Sequence, residues 1–243
     1  MGISDLLGAM MQSGMAPSSG RRLQNAVGGG SGGVLESLGG MLGDALNQAG
    51  RVAGGKQNLA LGGLGALVGS LLGGGGRSVG GALGGGVMAL LGAMAFKALQ
   101  GGGRRTGQVP LGLLEPRTDV DRRELERNTE LVLRAMINAA KADGRIDEKE
   151  IGRIVGKMQE SVADAEDQRY VLTEMQKPPE TETLISAAKG RPELAAEIYA
   201  ASLMAIEVDT AAEKTYLDRL ASGLGLPREV TRRIEQMVGL PPV

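Results

Sequence analysis

The chain of 243 residues carries 27 basic and 28 acidic side chains, a net charge of −1, with 2% aromatic residues and neither Cys nor His. These absences exclude disulfides, thiol nucleophiles, imidazole general bases and the usual nitrogen and sulfur ligands of zinc. With so few rings to stack on bases, and an acidic second half, no nucleic-acid partner is expected.

The even total charge conceals a division. Residues 1–107 hold 8 basic and 3 acidic residues, net +5, with 33 of the 41 glycines; residues 108–243 hold 19 basic and 25 acidic residues, net −6, with 8 glycines. The stretch Gly101–Pro116, GGGRRTGQVPLGLLEP, carries the Gly and Pro of a linker at the junction. Four parts follow: a Gly-rich region over 1–57, a hydrophobic segment over 58–100, the linker over 101–117 and a helical domain over 118–243.

At the N-terminus, Ser4 or Asp5 can cap a short amphipathic helix with Leu6, Leu7, Met10 and Met11 on one face. Arg21-Arg22 has the look of a twin-arginine signal, but no compact apolar run follows it, so the pair reads as two solvated arginines in a loop. Val34–Ala49 spaces Leu35, Leu38, Leu42 and Leu46 at three and four residues, a helical pattern. GRVAGGKQ, at Gly50–Gln57, matches the glycine and lysine spacing of a phosphate-cradling loop. It lacks both the preceding strand and the hydroxyl that would follow Lys56, because Gln57 stands there.

The segment Leu59–Leu99 holds two uncharged runs of 18 and 19 residues, Leu59–Gly76 and Ser78–Phe96, separated by Arg77. Each run as a helix reaches roughly 27–28 Å, close to the thickness of a bilayer core. Gly65, Gly69 and Gly73 recur every fourth residue, as do Gly76, Gly80 and Gly84; Gly81, Gly85, Ala89 and Ala93 form a further small-residue row. Such rows let helix backbones meet closely in lipid, which predicts a glycine zipper and a homo-oligomer built on it. A disordered Gly-rich tail is the alternative. The basic flanks Arg51, Lys56, Lys97, Arg104 and Arg105 place both ends of a hairpin in the cytoplasm, or else a single span covers Ser78–Leu99.

Beyond the linker, the pattern becomes that of amphipathic helices. Thr118 to Asp121 offers caps for a helix reaching about Ala142, and further helices are predicted over Asp147–Met158, Asp164–Gln176, Thr181–Lys189, Pro192–Glu207, Thr210–Ser222 and Pro227–Val238. No strand pattern competes. The fold class is therefore all-α, a compact C-terminal domain of about seven helices behind a membrane-type or disordered Gly-rich half.

Two acidic junctions interrupt these helices. Ala142–Glu150, ADGRIDEKE, brings Asp143, Asp147 and Glu150 to one turn; Ala205–Glu213, AIEVDTAAE, does the same for Glu207, Asp209 and Glu213. Ile146-Asp147 aligns with Val208-Asp209, which suggests a duplicated helix pair. Oxygen ligands of this kind suit Ca²⁺, Mg²⁺ or Mn²⁺. Equally, Asp147-x-x-Glu150 and Thr210-x-x-Glu213 are capping boxes, in which the side chains satisfy backbone amides, and Gly144 suits a turn needing positive φ. An EF-hand register puts Ala139 and Lys141 at ligand positions, which rules that loop out.

Residues 121–240 resemble the TerB-like family of tellurite-resistance-associated helical domains, through AAKADGRIDEKE at 139–150 and ASLMAIEVDTAAEKTYLDRLA at 201–221. With its Gly-rich first half, the chain is similar to a bacterial inner-membrane branch of that family whose function is unknown. The resemblance implies a helical, pseudo-symmetric fold with metal ligands at Asp143, Asp147, Glu150, Glu207, Asp209 and Glu213. The second turn has Ile206-Glu207 in place of the D-G dipeptide. The expected role is non-enzymatic: an inner-membrane interaction or stress-response protein whose C-terminal domain lies in the cytoplasm.

Overall fold

The computed structural model describes residues 7–8, 10–11, 18–28, 82–101, 118–142, 144, 146 and 165–240. Within them the chain forms eight helices and no strand: α1 (Ser19–Gly28), α2 (Ala82–Gly101), α3 (Asp119–Ala140), α4 (Ala165–Gln176), α5 (Thr181–Ala187), α6 (Pro192–Ala205), α7 (Ala211–Gly223) and α8 (Arg228–Met237). The expected helices over Val34–Ala49 and Asp147–Met158, the run Leu59–Gly76 and the first acidic turn's Asp143, Asp147 and Glu150 lie outside the described residues.

The molecule is built around α6. Every residue from Leu194 to Ala205 is buried, so the helix is enclosed on all sides instead of showing a polar face. Its sequence allows this, since Ala195, Ala196, Ala200, Ala201 and Ala205 carry small side chains that let neighbouring helices come close. Pro192 starts the helix, where its missing N–H costs nothing. α3 packs along one side of α6 and α2 along another, with α8 against both α2 and α6; α4 and α5 cover α3, and α7 rests on α5 and α3. Leu91, Met94, Leu99, Leu133, Met136, Ile137, Leu203 and Ile234 are the large side chains that fill the centre.

The helix boundaries follow the capping chemistry of the sequence. Thr118 Oγ1 accepts from the Asp121 N–H and Asp121 returns a carboxylate to the Thr118 N–H, at 3.1 and 3.0 Å, so α3 begins in a full capping box.

α2 lies within the segment expected to face lipid. From Val87 to Ala95 it is buried without interruption, between α6, α8 and α1, so this part of the run Ser78–Leu99 is covered by protein. No helix among the described residues is long and apolar enough to cross a membrane.

Candidate functional site

The second acidic turn lies where α6 stops and α7 begins. A helix leaves its last four carbonyls without intrahelical partners. Here no glycine follows to fold the chain back over them: Ile206 is extended, with φ −125° and ψ 162°, and Val208 takes φ 62°. The carbonyls are satisfied instead by residues roughly 180 positions earlier. Ser19 Oγ donates to the Met204 carbonyl at 2.8 Å, and the Arg22 guanidinium donates to the carbonyls of Leu203, Ile206 and, at 2.5 Å, Glu207. The Ser18 N–H donates to Glu207 Oε1 at 3.0 Å.

Arg22 is therefore not one of two solvated loop arginines. It is 4% exposed on α1, while Arg21 points outward. Burial lowers its pKa, against the opposing pull of the Glu207 and Glu213 carboxylates, and a guanidinium keeps its proton under that pressure. A cation at a helix C-terminus also meets the negative end of the helix dipole.

On the other side of the turn, Glu213 is consumed by the start of α7. Its Oε2 accepts from the Asp209 N–H at 3.1 Å, the Thr210 N–H at 3.0 Å and the Thr210 hydroxyl at 2.8 Å, while Thr210 Oγ1 accepts from the Glu213 N–H at 3.2 Å. Burial disfavours the ionised carboxylate, but the hydrogen bonds from Thr210 and Asp209 outweigh it and hold the pKa below the ordinary value. The capping box expected for Thr210-x-x-Glu213 is thus present.

Of the six candidate ligands, three are described. Glu207 faces the Ser18 amide, Glu213 faces the amides of its own cap, and Asp209 is exposed. Among the described residues, no group of three or more acidic side chains converges to hold a metal ion. Gly144, in the first turn, has φ 145°, the positive value expected of it.

Two buried groups escaped the reading of the sequence. Lys141, 6% exposed at the end of α3, donates its ammonium to the carbonyls of Glu174 and Lys177 at 2.6 and 2.8 Å, closing the end of α4 as Arg22 closes that of α6. Beside it Arg134 bridges Glu174 at 3.3 Å and Glu180 at 2.6 Å. Glu197 lies in the middle of α6, 2% exposed, and burial pushes its carboxyl up to about 8, with Arg191 pulling it down and Glu193 pushing it further up. Their signal in the sequence was a lone charge in an alanine-rich apolar stretch, at AAKA and AAEI. Arg22 had no such signal, because its partners are so distant.

A family model described as "Protein of unknown function (DUF533)" matches residues 54–238. A Yersinia enterocolitica protein described as "Uncharacterized protein in ampR 5'region" is 30% identical over 112 residues, which span 46% of this chain and 80% of that relative. No solved structure matches the chain.

Proposed function

The chain belongs to the DUF533 family, and from that premise we propose that it is a non-enzymatic interaction protein, a TerB-like helical body held at the cytoplasmic face of the bacterial inner membrane. The observation that carries the reading is the seat of Ser18–Gly28 on the end of α6. It ties the basic, glycine-rich half to the acidic helical half, so that whatever anchors the first also positions the second. With Val87–Ala95 of α2 buried in the helical body, Leu59–Gly76 is the uncharged run left for lipid, and its Gly65, Gly69 and Gly73 row is the surface for self-association. Arg51, Lys56 and Arg77 around it suit an anionic leaflet. In the second turn, the Glu207 and Glu213 carboxylates already have amide donors, which leaves Asp143, Asp147, Glu150 and Asp209 of the six candidate ligands for any divalent cation.

Fractionation of cells making the full chain, followed by alkaline carbonate extraction, tests this reading. The chain is expected with the membranes, resistant to carbonate. Recovery entirely in the soluble fraction overturns the membrane role and leaves a helical binding module with a Gly-rich tail.

A further inference from the structure

Val208 is a β-branched residue at φ 62°, a conformation its side chain resists. Such strain persists only where the surroundings over-determine it. Here they do so from two sides. The Arg22 guanidinium grips the carbonyls of Ile206 and Glu207, and the Ser18 amide holds the Glu207 carboxylate, immediately before Val208. Immediately after it, the Asp209 and Thr210 amides are held by Glu213. The second clamp is local to the turn and permanent in the chain. The first comes from a segment roughly 180 residues away in the chain, which also meets the body through Ser19 to Met204, Asn25 Nδ2 to the Val238 carbonyl at 3.4 Å, and the apolar side chains of Leu23, Ala26 and Val27. Its fit is also incomplete, since Ser18 Oγ is buried with no hydrogen-bond partner among the described residues.

We propose that Ser18–Gly28 is a releasable latch on the second acidic turn. Docked, it keeps Val208 in the left-handed conformation and Glu207 turned to the Ser18 amide. Released, it lets Glu207–Thr210 relax and uncovers in one step the carbonyls of Leu203, Met204, Ile206 and Glu207 together with the Glu207 carboxylate. The strain at Val208 favours release and the Arg22 fork opposes it, so the two residues set the balance between the states. Every contact named lies within the helical body, so docking and release do not depend on attachment of the chain to a membrane.

Hydrogen exchange of the full chain, read by mass spectrometry, tests it. In the wild type, the amides of residues 18–28 and 206–213 are expected to exchange through a shared local opening, about tenfold or more faster than the core of α3. Arg22→Ala accelerates both regions together and leaves α3 unchanged. Arg22→Lys has an intermediate effect, because an ammonium lacks the guanidinium's fork of donors. In a Val208→Gly background, where glycine adopts φ 62° without strain, the acceleration of residues 206–213 by either Arg22 variant shrinks. Arg22→Lys carries that comparison alone should Arg22→Ala fail to fold. Exchange of residues 18–28 and 206–213 at the rate of the α3 core overturns the latch. So does acceleration confined to residues 18–28, and so does an equal acceleration of the turn in both backgrounds.

Discussion

Glu197 lies in the enclosed helix α6, between Ala196 and Ile198, and burial shifts its carboxyl from an ordinary 4.5 to about 8. A folded-state pKa raised above the unfolded value means that, from about pH 4.5 to about pH 8, the folded chain keeps a proton the unfolded chain has released. Stability therefore falls as pH rises through that window. Urea unfolding at about pH 5 and about pH 8 is expected to show a lower midpoint at the higher pH, and Glu197→Gln, which stays neutral throughout, should flatten the difference. Equal slopes in the two proteins would free Glu197 of this role. Arg22 and Lys141 present the opposite case, buried cations that remain useful because helix-end carbonyls surround them. Each gathers carbonyls that no intrahelical amide can reach, which is how α6 and α4 end without a glycine turn.

Within a single element, α2 shows why a glycine- and alanine-spaced helix does not by itself specify its solvent. Ala89 and Ala93, in the row that reads as a lipid-side packing face, are 5% and 0% exposed within the protein, and so are the large side chains Leu91, Met94 and Leu99 on the other sides. Small residues allow close backbone approach wherever a second helix is available, and here α2 packs against α6 and α8. Leu91→Ala separates the roles. As a core residue it should cost the full chain about 2–5 kcal/mol of unfolding free energy, through lost burial and the cavity left behind. A loss below about 0.5 kcal/mol in denaturant unfolding would mean that α2 contributes little to the core.

For the whole molecule, the consequence is that the helical domain expected over 118–243 lacks two of the elements that surround its central helix. A chain beginning at Thr118 has no α2 and no α1, leaving two faces of α6 and the inner face of α8 bare and the carbonyls of Leu203, Met204 and Ile206 unpartnered. Such a chain is expected to unfold over a broad urea range with a reduced m-value, or to self-associate, where the full chain unfolds sharply; an equally cooperative transition would make residues 118–243 a self-sufficient domain. What the sequence by itself determined is local. The all-α class, the bounds of α3 through α8 to within a few residues, and the Thr210–Glu213 cap all follow from periodicity, proline and glycine placement, and side chains that reach backbone amides no more than four residues away. What only the tertiary structure decided is which apolar surface meets which, and where a distant side chain lands. The uncharged run Ser78–Phe96, which supplies most of α2, satisfies the pattern of a membrane span and of a buried core helix alike, since both require apolar residues on every side. Arg22 reads as a surface arginine until the end of α6 is placed beside it. A hydrogen bond across roughly 180 residues leaves no periodicity in the chain, because it depends on the packing of α1, α2 and α6 together and on no single one of them.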